Sequence, residues 1–189
     1  VVTTLEPHTE ADPAALLIQF LVAFGNCIGR GAHWVVGGDE HHGNMFAVLV
    51  GTSAKARKGT SAGEIRRLFE GVGSRWASEC IKSGLSSAEG MIWQVRDPIY
   101  ATDKKGNRTV ADPGVSDKRA LFYEAEFAQT LKQTDRTGNT LSPVLRQAWE
   151  RGHLESLTKN SPARATAAHI SLVGHITNSE LRRYLNTTE

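Results

Sequence analysis

The chain has 189 residues, of which 40% are hydrophobic and 22% charged, and a net charge of +2. This is the content of one ordinary globular domain and excludes a disordered or low-complexity class. The bulk charge makes no case for a nucleic-acid partner, which would need a local basic patch.

Residues 1–12 are polar and read as an extended lead-in. Asp12-Pro13 has the form of a helix cap followed by proline at the first helical position. A helix is expected from about Pro13 to Ile28, with Leu16, Leu17, Phe20, Leu21 and Phe24 on a broad apolar face. His33 to Val36 has the pattern of a short strand, and Gly37 to Asn44 that of a turn segment. Phe46 to Val50 reads as a buried strand, and a second helix is expected near Ala62 with a stripe of Ile65, Leu68, Phe69, Val72 and Trp76. Ser83 to Gly90 is a small-residue loop. Met91 to Val95 reads as the next strand, and residues 102–118 as a mobile surface loop with Asp103 to Asn107 at its tip. Arg119 to Tyr123 is a third apolar strand, followed by helices over roughly 125–134 and 141–151. His169 to His175 is a fourth strand, and Asn178-Ser179-Glu180 opens a final helix. Strands alternating with helices imply an α/β fold with a mostly parallel sheet.

Cys27 and Cys80 lie far apart in apolar or helical contexts, form no metal motif, and read as reduced thiols of a cytoplasmic protein. No apolar run is expected to span a membrane, and no signal peptide is visible. The chain opens on Val1 and closes on Asn186-Thr187-Thr188-Glu189. It reads as part of a longer polypeptide, with residues 1–45 as a lead-in and helix and 46–189 as a core.

Three motifs carry chemistry. The first is the loop from Gly51 through Lys58-Gly59-Thr60-Ser61, between a strand and a helix. Unpaired N–H groups and the dipole at such a helix start favour an anion, most often a nucleotide phosphate. A leading glycine, a lysine, a glycine and two hydroxyls are the ingredients of a P-loop, though not in its usual order. A solvated basic loop fits the same pattern. The second motif is Ala120 to Glu126, an apolar strand ending in Glu124 and Glu126. Acids at the C-terminal edge of an α/β sheet suit metal binding and activation of water; helix-start charges fit as well. The third is Ile170 to Thr177, where His175 or Thr177 suits a sensor of the γ-phosphate, while Thr177-Asn178 also reads as a plain helix cap. The three motifs occur in that order, at spacings of roughly 65 and 50 residues, which is the layout of a P-loop ATPase core.

On these residues, with Thr9 to Pro13, Phe24-Gly25-Asn26, Gly84 to Gly90 and Gly174 to Leu181, the chain resembles the ATPase domain of replication proteins from phages, plasmids and integrated elements. Such domains are often joined to a primase–polymerase domain. The resemblance implies a three-layer P-loop NTPase of the RecA-like kind, binding ATP and Mg²⁺ and acting on DNA as a homo-oligomeric ring, a helicase by analogy; the lack of a long apolar run sets the expectation of no membrane partner. The resemblance implies phosphate binding by Gly51, Thr52, Ser53, Arg57, Lys58, Gly59, Thr60 and Ser61, and metal binding by Thr60, or in its place Ser61, together with Glu124. It implies catalytic roles for Lys58, Glu126 and His175. A nucleotide-sensing or assembly module that does not hydrolyse is the alternative. Among the loop arginines, Arg164 is the candidate to reach a neighbouring subunit's nucleotide. Asp39-Glu40-His41-His42 reads as a solvated turn rather than a metal site.

Overall fold

The computed structural model describes residues 1–52, 58–72, 75–156 and 163–185. In chain order the elements are α1 (Val2–Leu5), α2 (Pro13–Ile28), β1 (His33–Val36), β2 (Asp39–His42), β3 (Phe46–Gly51), α3 (Lys58–Gly71), α4 (Arg75–Glu79), β4 (Ile81–Lys82) and α5 (Ala88–Trp93). There follow β5 (Ile99–Thr102), β6 (Arg108–Asp112), β7 (Arg119–Glu124), α6 (Phe127–Thr134), α7 (Leu141–Glu150), β8 (Leu154–Ser156), β9 (Ala163–Ala165), β10 (His169–Thr177) and α8 (Asn178–Leu185).

Four strands form one all-parallel sheet in the order β3–β10–β7–β4. Parallel sheets need cover on both faces, because their crossovers lay helices there. Ala47, Leu121, Tyr123 and Val173 meet α2, α3 and α4 on one face. Ala120, Phe122, Ile170 and Leu172 meet α5 and α7 on the other. β10 is one of the two interior strands, buried from His169 to Ile176. Its α2-facing residues are unusually polar, and partners satisfy them. Asn26 donates from Nδ2 to Ala120 O, His169 O and Ser171 Oγ at 3.0–3.2 Å, and accepts from Trp76 Nε1 at 2.8 Å. One fully buried side chain thereby joins α2 to β7, β10 and α4.

Asp12 caps α2 by accepting from Ala14 N and Ala15 N, at 2.8 and 3.1 Å, with Pro13 behind it. With the turn that follows, this helix runs from Pro13 to Gly31 with mean hydropathy 1.4, long and apolar enough to cross a membrane by length and composition. That differs from the sequence expectation. Leu16, Val22 and Ala23 are buried against the sheet and α3, and Gln19 and Asn26 hydrogen-bond within the core, as in a core helix.

Several expectations are corrected. The lead-in is not extended, since Val2–Leu5 is helical and Glu6–His8 forms a 3-10 turn. Asp39–His42 is a strand paired with His33–Val36, not a turn. Met91-Ile92-Trp93 belongs to a helix that Ser87 caps by accepting from Gly90 N at 3.0 Å. Part of the stretch read as a surface loop over 102–118 is regular, since Arg108–Asp112 pairs antiparallel with Ile99–Thr102. The second helix starts at Lys58 and ends at Gly71, and Trp76 sits in the separate α4.

Candidate functional site

Because β3, β10 and β7 run parallel, their C-terminal ends share one edge of the sheet. Gly51 pairs with Thr177, and Gly174 is level with both Val48 and Glu124. The loop strand and the acidic strand are therefore two strand spacings apart, roughly 10 Å, with β10 between them.

Gly51 ends β3 half-buried, and Thr52 follows exposed to solvent. Ser53 and Arg57 lie outside the described residues, as does the side chain of Lys58, whose backbone opens α3. Gly59 and Thr60 are exposed in the first turn of α3. Ser61 is fully buried, and its Oγ accepts from Gln19 Nε2 at 2.5 Å. That bond ties α3 to α2 and turns the hydroxyl into the core. Thr60 is thus the hydroxyl of this pair that reaches solvent at the helix start.

Glu124 is buried, and its Oε1 accepts from Leu85 N at 2.8 Å. The carboxylate leans toward the loop after β4. Burial raises its pKa, opposed by the N–H groups of Leu85 and Gly84. A carboxylate has about four acceptor positions, so this contact leaves capacity for a second partner. Glu126 is exposed at the start of α6 and makes no side-chain capping bond there. Phe127 follows it and lies over Gly174, where a Cβ would fall 2.6 Å from the ring. The glycine in β10 therefore lets the first turn of α6 close onto the sheet beside the acids.

His175 is buried on the α3 side of the sheet, on the face opposite Glu124, since Glu124 shares its face with Phe122 and His175 shares its face with Val173. Its Nδ1 lies 3.1 Å from Tyr123 Oη. Burial pushes the Tyr123 phenol up to about 12, and the tautomer of His175 sets which of the two groups donates. Thr177 is engaged as a helix cap. Its Oγ1 donates to Glu180 Oε2 at 2.7 Å, its N–H donates to the same oxygen at 3.0 Å, and Glu180 N donates back to Oγ1 at 3.3 Å. This is a reciprocal capping box, and between the two sensor candidates it leaves His175.

The remaining candidates separate from this edge. Arg164 sits exposed in β9, and its carbonyl accepts from Asp97 N at 2.8 Å. Asp97 also binds Lys118, just before β7, so Arg164 lies toward the opposite end of the sheet. Among the described residues no group of three or more His, Cys, Asp and Glu side chains is arranged to hold a metal. Sequence reasoning missed the role of Gln19 and the Tyr123–His175 pair. Alternation along His169, Ser171, Val173 and His175 was the available signal, since polar residues at every second place of a buried strand mark one face. No family model matches the chain, and no curated protein matches it.

Proposed function

We propose that the chain is an ATP-binding domain of the P-loop kind, built to hydrolyse its nucleotide and to act on DNA as part of a replication protein of a mobile element. The observation that carries this reading is the convergence of three separated motifs on one edge of a parallel sheet, the region where α/β folds collect ligands. Under this reading the N–H groups at the start of α3 and Lys58 hold the β- and γ-phosphates. Thr60 holds Mg²⁺ together with Glu124, and Glu126 orients the attacking water. His175 responds to the γ-phosphate from the intervening strand, its ring set by Tyr123. Exposure of Thr60 and Glu126 supports their parts, because both must reach a ligand.

One observation favours the second reading, binding without hydrolysis. Glu124 is buried and already accepts from Leu85 N, which weakens it as a metal-side acid. Phosphate release in the presence of DNA separates the two. A Glu126→Gln variant that binds Mg-ATP but no longer turns it over supports the motor reading; wild-type turnover in that variant removes Glu126 from the chemistry.

A further inference from the structure

The nucleotide reading leaves one charged surface unused, the hairpin of β5 and β6 with the end of α5. Its tip is a built turn. Asp103 accepts from Lys105 N and Asn107 N at 2.8 and 2.9 Å and from Asn107 Nδ2 at 3.1 Å. Asp103 stays exposed beside Lys104 and Lys105, its two carboxylate oxygens engaged by those N–H groups. The other acids nearby are also engaged. Asp112 is held by Arg96 and by Gly114 N. Asp97 is held by Lys118 at 2.9 Å and by Thr166 N and Oγ1 at 3.0 Å. Lys104, Lys105, Arg108 and Arg164 have no ion pair among the described residues. Glu155 is the other acid on this surface, opposite Arg164 in the β8–β9 pairing.

Two aromatic rings are interleaved with these cations. The Arg108 guanidinium lies 3.9 Å over the Tyr100 ring, and that of Arg96 lies 4.1 Å over Trp93. Tyr100 is 47% exposed and Trp93 46%, although both are large aromatics. Both line an open concavity of about 940 Å³ with Arg108 and Arg164.

We propose that this surface binds single-stranded nucleic acid, with phosphates on Lys104, Lys105, Arg108 and Arg164 and bases stacked on Tyr100 and Trp93. Aromatic platforms beside cations are how sequence-tolerant single-strand binding works, and a duplex would hide the base faces that these rings need. A chain of net charge only +2 requires such a local patch to hold a polyanion. The proposal shares with the functional reading only the polymer, and it makes no use of the nucleotide site.

The test is fluorescence anisotropy of a labelled thymidine 20-mer and of an abasic strand of equal length, over a salt series. The proteins are wild type, Tyr100→Ala, the double variant Lys104→Glu/Lys105→Glu, and Arg151→Glu as a surface control, each checked by thermal melting. The wild type should prefer the thymidine strand. Tyr100→Ala should weaken it about tenfold with the salt slope unchanged. The double variant should weaken both strands and flatten the slope by about 1 unit or more, and the control should match wild type. No binding by wild type, equal affinity for the abasic strand, or wild-type affinity in both hairpin variants would overturn the proposal. ATP-analogue binding measured on the same proteins should be unchanged in the hairpin variants. Its absence from the wild type would sink the nucleotide reading and leave this one standing.

Discussion

Asn26 has polar partners on β7, β10 and α4, and removing it strands buried groups on all three. Each unsatisfied buried group costs about 1–3 kcal/mol, so Asn26→Ala should lower stability by about 2–4 kcal/mol, with a lower urea midpoint at unchanged slope. His169 lies in the same region, its Nε2 bonded to Gly25 O at 2.9 Å and its Nδ1 buried without a partner among the described residues. Burial lowers its pKa to about 4. The unfolded ring binds a proton near 6.5 and the folded one only near 4. Stability contributed by the neutral ring is therefore present above pH 6.5 and lost as pH falls toward 4. The loss should approach about 3 kcal/mol and should flatten in His169→Gln, as read by denaturation across that range. Asp117, held down to about 2 by Arg119, acts in a separate window: its contribution is present above the ordinary carboxylate range and fades as pH falls toward 2. At Gly174 the close ring of Phe127 predicts that Gly174→Ala costs about 1–3 kcal/mol, and that Phe127→Ala reduces this cost in a double-mutant cycle. Independent, additive losses would contradict the contact. None of these partners was legible in the sequence, because each joins residues distant along the chain.

Elements were legible where local chemistry is strong. Asp12-Pro13 gave the start of α2, the apolar runs gave β3 and β7, and Ile170, Leu172 and Val173 gave β10 despite its alternating polar residues. Met91 to Val95 misled because a short apolar run does not distinguish a buried strand from a buried helix. The cap at Ser87 and the position of β4 on the sheet decide it. The hairpin of β5 and β6 was hidden because its strands are exposed on both faces up to Asp112, leaving no buried face to set an alternation. Thr177 shows the opposite case, a cap readable from Thr-x-x-Glu. Thr177→Ala should destabilise α8 by about 1 kcal/mol, seen as faster amide exchange in residues 179–184, with no change in nucleotide affinity. A large fall in affinity would instead make Thr177 part of the site.

At the scale of the molecule, the sequence supplied the order of the motifs, but only the strand order brings them together. Parallel pairing of β3, β10 and β7 turns roughly 65- and 50-residue separations into neighbouring strand ends. The outer face of α2 adds a stripe of Leu17, Leu21, Phe24 and Ile28, each at least 40% exposed. Under the ring reading, a Leu21→Lys/Phe24→Lys pair on that stripe should shift sedimentation toward monomer, and unchanged sedimentation would exclude the stripe from assembly. A phosphate site at the start of α3 is open to one decisive measurement: binding of a fluorescent ATP analogue with and without Mg²⁺, wild type beside Lys58→Ala. Binding should depend on Mg²⁺ and be lost in the variant while its fold is kept; equal binding by both proteins, or none by a folded wild type, would rule the site out.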